Sequence, residues 1–134
     1  MASYVNLIEA AKAVRKNSYS PYSGYAVGAA ILGDTGEIWT GCNVENVSYG
    51  LCVCAERSAV ARMVSEGCTN FVAVAVATAD GGYPCGMCLQ TLLEFCDDPN
   101  SITVITSSES GEEGQRSLAE LIPFGFTSAV LKRT

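Results

Sequence analysis

Histidine is absent from this chain of 134 residues. That excludes every histidine-based catalytic triad and every ligand set that needs an imidazole. Basic residues are also few: 8 Lys and Arg stand against 14 Asp and Glu, and the formal net charge is -6. They are dispersed along the sequence. Phosphate binding needs clustered Lys and Arg, so the balance argues against a nucleic-acid partner. An acidic chain suits a small neutral substrate better. No apolar stretch approaches the roughly 20 residues that span a bilayer, so no membrane partner is expected. Met1-Ala2-Ser3-Tyr4 offers no basic region ahead of an apolar run, and no signal peptide is expected. Repeats, linkers and low-complexity segments are missing as well.

Cysteine, by contrast, is abundant. Seven cysteines, an odd number, in a chain without a secretion signal point to a reducing compartment, here the cytoplasm, and to metal ligation in place of a disulfide framework. The hydrophobic share is 49% and the charged share 16%, which suits a compact globule. At this length a single domain over 1-134 can bury a real core.

The order of elements is that of an α/β chain. Val5, Ile8, Ala11 and Val14 recur at helical spacing and predict an amphipathic helix. Pro21 and Gly24 break the chain after it. Tyr25 to Leu32 predicts a buried strand, Gly33-Asp34-Thr35-Gly36 a turn, and Glu37 to Cys42 the return strand of a hairpin. A second helix is expected from Cys54 to Glu66, stopped by Gly67. Phe71 to Thr78 is an apolar run of the kind found in a central strand covered on both faces. A third helix is expected from Cys85 to Cys96 and a strand from Ile102 to Thr106. The polar stretch Ser107 to Gln115 reads as a loop, followed by a short strand near Arg116 and a helical turn over Leu118 to Leu121.

The chemistry concentrates in Cys54-Ala55-Glu56 and Pro84-Cys85-Gly86-Met87-Cys88. Together they offer three thiolates for one metal ion and a carboxylate two residues from a ligand. Three protein ligands leave a fourth position open, which distinguishes a catalytic zinc site from a closed structural one. Cys54 opens one predicted helix, and Cys85 and Cys88 open another. Helix N-termini carry partial positive charge and free N–H donors, which offset the excess negative charge of three thiolates around a dication. Arg57 adds a full positive charge whose fork can donate to sulfur and tune the metal from outside its ligand set. Two other accounts compete. Cys85 and Cys88 alone could be a redox pair, and Cys52, Cys54, Cys85 and Cys88 could form a closed four-cysteine site. Neither gives Glu56 a role. Cys42, Cys68 and Cys96 read as small buried hydrophobes.

The cysteine and glutamate pattern matches the signature of zinc-dependent nucleobase deaminases. Further motifs narrow the match: Ser20-Pro21-Tyr22-Ser23 leading into Val27-Gly28-Ala29-Ala30, then Gly41-Cys42-Asn43-Val44-Glu45-Asn46. Over nearly its whole length the chain resembles the small homotetrameric cytidine deaminases. The resemblance implies a three-layer fold, a mixed five-stranded sheet with helices packed on it. It implies hydrolysis of cytidine and deoxycytidine to uridine and deoxyuridine, a reaction of pyrimidine salvage. It also implies one zinc per subunit on Cys54, Cys85 and Cys88. Glu56 then carries the proton from the attacking water to the ring nitrogen and on to the departing ammonia. Asn43 and Glu45 correspond to the ribose-binding pair, and the Ala55 N–H to the donor for the pyrimidine carbonyl. Tyr25 stands where the family usually has a Phe stacked on the base. Phe126 corresponds to a Phe that reaches into a neighbouring subunit's site, so the active sites of a homotetramer would be shared. Leu89 departs from the usual Arg after the second C-x-x-C cysteine. Deamination of another aminopyrimidine nucleoside, blasticidin-type or a modified cytidine, and a non-catalytic zinc-stabilised domain are the alternative functions.

Overall fold

The computed structural model describes residues 3–131. Met1 and Ala2, part of the N-terminal reading above, and residues 132–134 lie outside it. The elements run α1 (Val5–Arg15), β1 (Gly28–Gly33), β2 (Ile38–Cys42), α2 (Ala55–Ser65), β3 (Phe71–Ala77), α3 (Gly86–Leu93), β4 (Thr103–Ser107), β5 (Glu113–Ser117) and α4 (Leu118–Leu121). The strands form one five-stranded sheet in the order β2-β1-β3-β4-β5. It is mixed: β3 and β4 run parallel and the other three pairings are antiparallel. The parallel pair needs a crossover, which α3 supplies. The apolar run of β3 takes the central place expected for it.

Side chains alternate across the sheet and so serve two helical layers. One face presents Ala30, Ala73, Ala75, Ala77 and Ile105 to Leu7, Ile8 and Ala11 of α1. The other presents Ala29, Ile31, Val74, Val76 and Val104 to α2 and α3, with Met63 and Leu92 fully buried between. The small residues on the first face bring α1 close to the backbone. At Gly28 the limit is reached: a Cβ there would lie 2.1 Å from the Ala11 carbonyl oxygen. Gly41 does the same for α2, where a Cβ would lie 2.4 Å from the Ala59 nitrogen.

Three boundaries differ from the sequence-based expectation. Residues Tyr25 to Val27 do not join β1, because other groups take their backbone partners. Arg15 Nε donates to the Ala26 carbonyl at 2.8 Å, and the Asn43 amide bonds both Tyr25 O and Val27 N. α3 ends at Leu93, short of Cys96, and the carbonyl of Phe95 is taken by Phe71 N at 3.2 Å. β5 begins at Glu113, inside the stretch expected to be a loop, and pairs along β4 from Ser107↔Glu113 to Thr103↔Ser117. α4 is fixed by a capping box: Ser117 Oγ accepts from Glu120 N, and Ser117 N donates to the Glu120 carboxylate. Cys42, Cys68 and Cys96 are half-buried, less enclosed than expected. No helix among the described residues is long and apolar enough to cross a membrane.

Candidate active site

Two loops deliver the reactive side chains to one place. The first links β2 to α2 and is held by a pair of backbone bonds between Val44 and Val53, each 2.9 Å, while Tyr19 bonds Asn43 and Glu45 on the other side. It ends at Cys54, the N-cap of α2. The second links β3 to α3 and ends at Cys85, the N-cap of α3, with Cys88 in the first turn. Because α2 and α3 lie side by side on one face of the sheet, their N-termini converge.

The three sulfurs meet there. Cys54 Sγ and Cys85 Sγ are 4.0 Å apart, Cys85 Sγ and Cys88 Sγ 3.5 Å, and all three lie within 4.8 Å of one another. Tetrahedral zinc with Zn–S bonds of about 2.3 Å requires sulfurs about 3.8 Å apart, so the trio fits that ion. Cys88 is buried, Cys54 half-buried and Cys85 exposed, which leaves the group open toward the cleft. Cys52 stands apart from it. Its Sγ accepts from Asn46 N at 3.3 Å and is engaged in its own loop. The closed four-cysteine arrangement is therefore not what the fold builds.

Charge around the sulfurs is organised by Arg57. Its Nη2 donates to Cys54 Sγ at 3.8 Å and to the Cys52 carbonyl at 3.3 Å. The neighbouring Cys88 thiol, followed by Arg57 and Cys85, pulls the Cys54 thiol down to about 5. Cys88, buried beside that thiolate, is shifted upward. Glu56 is 5% exposed and follows the first ligand into α2. Burial and then the Cys54 charge push its carboxyl up to about 7, with Arg57 opposing.

Beside the sulfurs lies a cleft of about 280 Å³, near the lower end for small-molecule sites. Cys54, Ala55, Glu56, Asn43, Glu45 and Tyr25 all border it. Ala55 is the first residue of α2, so its N–H has no partner within the helix. Glu45 is held in place by the Ser20-to-Ser23 loop. Its carboxylate accepts from Tyr22 N at 3.0 Å, Ser23 N at 3.1 Å and the Ser23 hydroxyl, and these bonds, the hydroxyl's foremost, lower its pKa. Asn43 has less to offer than its type suggests. Its Oδ1 accepts from Val27 N and Ser18 Oγ, and its Nδ2 donates to Tyr25 O, so one N–H remains for a ligand. A larger hollow of about 490 Å³ lies near Lys12, Arg15 and Lys16, but none of the three sulfurs borders it.

A family model described as the cytidine and deoxycytidylate deaminase zinc-binding region matches residues 1–104. The chain belongs to this family. Among its relatives, a cytidine deaminase of Sporosarcina psychrophila is 40% identical over 123 residues, 90% of this chain and 89% of that protein. The crystal structure of cytidine deaminase from Burkholderia pseudomallei superposes with a TM-score of 0.86 at 40% identity, covering 93% of this chain and all of that one. That from Mycobacterium tuberculosis gives 0.81 at 37% identity, covering 94% and 98%. Zinc is the metal of the family, and the cysteine trio fits it.

Two further positions lie outside the lining of this cleft. Phe126 does not border the cleft of its own chain. It is 59% exposed, and its backbone is gripped on both sides by Gln90, whose Nε2 donates to Phe126 O while Oε1 accepts from Phe126 N. Leu89, where the family usually carries Arg, packs into the core with Leu92 and Leu93. The residues that sequence reasoning missed are Gln90 and the turn Thr78 to Gly82. Gly81, Gly82 and Pro84 mark a loop there in the sequence, but nothing in it gives Thr78 or Asp80 a role.

Proposed function

We propose that this protein hydrolyses the exocyclic amine of cytidine and deoxycytidine, releasing ammonia and leaving uridine and deoxyuridine. The observation that carries this reading is a buried carboxylate, Glu56, beside three converging thiols on the wall of a small cleft. A structural metal site has no use for such a carboxylate. Zinc bound by Cys54, Cys85 and Cys88 supplies the Lewis acidity that makes water nucleophilic near neutral pH.

The chain's own residues do the rest. Glu56 takes the proton from the attacking water as it adds to the carbon bearing the amine, and gives it to the neighbouring ring nitrogen. A second proton from the same oxygen passes through Glu56 to the amine, which leaves as ammonia while the carbonyl forms. Burial shifts the Glu56 carboxyl upward and so favours its protonated form, which equips it to donate as well as accept. The Ala55 N–H, at a helix N-terminus, holds the pyrimidine carbonyl. Tyr25 lends its ring face to the base. Glu45 accepts from a sugar hydroxyl, and Asn43 donates its one remaining N–H. Arg57 keeps the Cys54 thiolate from becoming too basic.

We further propose that the working form is a homotetramer, with Phe126 of one copy closing the cleft of another. Phe124 and Phe126 are 98% and 59% exposed, and a rigid grip by Gln90 on an exposed aromatic suits an interface. Seven unpaired cysteines suit the reducing cytoplasm.

The test is the fall in ultraviolet absorbance when zinc-loaded protein meets cytidine, with cytosine, CMP and blasticidin S as comparisons. Turnover of cytidine well above the others is expected. Turnover of blasticidin S alone, or of none, would overturn the reading.

A further inference from the structure

Tyr25 and Asp80 lie 55 positions apart yet meet at the rim of the cleft. Tyr25 sits in the segment ahead of β1, on one wall. Asp80 sits in the loop between β3 and α3, whose Thr78, Gly82 and Tyr83 form the facing wall. The Tyr25 hydroxyl donates to Asp80 Oδ1 at 2.7 Å. The same oxygen accepts from Gly82 N and Thr78 Oγ1, each at 3.2 Å. Thr78 Oγ1 in turn accepts from Gly81 N at 2.7 Å and Gly82 N at 3.1 Å. The loop is thus a tight turn wound around two side chains, and Asp80 is the one that reaches out of it. Gly82 leaves the space this needs: a Cβ there would lie 3.1 Å from the Tyr25 hydroxyl oxygen.

We propose that Asp80 is a positioning residue that acts through Tyr25, clasping the two walls of the cleft and fixing the angle of the aromatic ring against the pyrimidine. This rests on the reading of Tyr25 as the ring that stacks on the base. A phenylalanine at position 25 would stack but could not be clasped. The hydroxyl converts a ring free to turn into one held by a carboxylate, the stronger class of hydrogen bond. The loop it ties down continues through Pro84 to Cys85. The clasp therefore orders one wall before substrate arrives, and its loss weakens binding more than chemistry, because Glu56 and the three sulfurs remain where they are.

The experiment is a double-mutant cycle read in KM and kcat for cytidine on zinc-loaded enzyme, with metal content and melting temperature checked for each variant. Tyr25→Phe removes only the hydroxyl, whereas Asp80→Ala removes its acceptor together with the bonds from Thr78 and Gly82. Each should raise KM about three- to tenfold, the share expected of one exposed hydrogen bond, with kcat held. The double variant should be no worse than Asp80→Ala alone, because that change has already removed the bond to Tyr25. Asp80→Asn, whose amide oxygen still accepts from the phenol, should recover most of the loss. Effects that multiply in the double variant, or an unchanged KM in Tyr25→Phe, would overturn the clasp. Tyr25→Ala separates the two readings: if it raises KM strongly while Tyr25→Phe does not, the ring stacks and the clasp is wrong. If Tyr25→Ala also leaves KM unchanged, the stacking assignment itself fails.

Discussion

Replacing Glu56 with Gln should destroy activity and, in the metal-free protein, increase stability. The side chain keeps its volume and loses its charge. An ordinary glutamate ionises near 4.5, whereas burial and the Cys54 thiolate hold Glu56 protonated up to about 7. Between those two values the unfolded chain gives up its proton and the folded chain keeps it. The folded state then binds more protons, so stability falls as pH rises through that window. The loss is absent below about 4.5 and complete above about 7. A gap of this width corresponds to about 3 kcal/mol, or roughly 10 °C in melting temperature for a domain of this size. Glu56→Gln carries no such penalty. Metal-stripped Glu56→Gln should therefore melt about as the wild type does at pH 4.5 and well above it at pH 8. Zinc should narrow the gap, because a nearby dication favours the ionised carboxylate. In the same preparations, reloaded with zinc, turnover of cytidine should fall by about 10²–10⁴-fold or more. The assays are differential scanning calorimetry across pH with chelator present, and absorbance kinetics after reloading. Equal melting temperatures at pH 8, a gap that persists unchanged at pH 4.5, or near-normal turnover would refute the account.

Three further outcomes follow from the site. Cys54→Ala, Cys85→Ala and Cys88→Ala should each lose zinc and activity together, while Cys52→Ala keeps its zinc by metal analysis; zinc lost from Cys52→Ala would mean a four-cysteine site. Glu45→Ala should lower kcat/KM for cytidine about ten- to a hundredfold with little change for the free base, since a charged acceptor for the sugar is gone; an unchanged value would put Glu45 outside the sugar contacts. Phe126→Ala should raise KM for cytidine although the residue lies outside its own chain's cleft, and light scattering should find four copies; a fully active monomer at assay concentration would refute shared sites.

Chemistry was the part of this protein most legible in its sequence. Three cysteines and a glutamate at fixed spacing name their own task, because ligand number and helix-start positions are local properties that need no partner from afar. The central strand was equally plain: Phe71 to Ala77 is apolar throughout, and all of it but Val72 is buried between the two helical layers. β5 was legible only in part: a short strand near Arg116 was expected, but Glu113-Gly114-Gln115 has no apolar alternation and joins it only because β4 offers an edge to pair with. The start of β1 was misjudged for a related reason. The backbone at Tyr25 and Val27 is claimed by Asn43, a residue whose reach the sequence does not display. The same bonds reduce what Asn43 can offer a ligand, and a residue type alone does not reveal how many of its hydrogen-bonding positions are already taken. The sequence by itself determined which atoms could bind metal and move a proton. Only the tertiary structure decided the environment that tunes them: the burial that carries Glu56 toward neutrality, the exclusion of Cys52 from the sulfur group, and the meeting of Tyr25 with Asp80. Those depend on distances between segments far apart in the chain, which are set by how α2 and α3 pack on one face of the sheet.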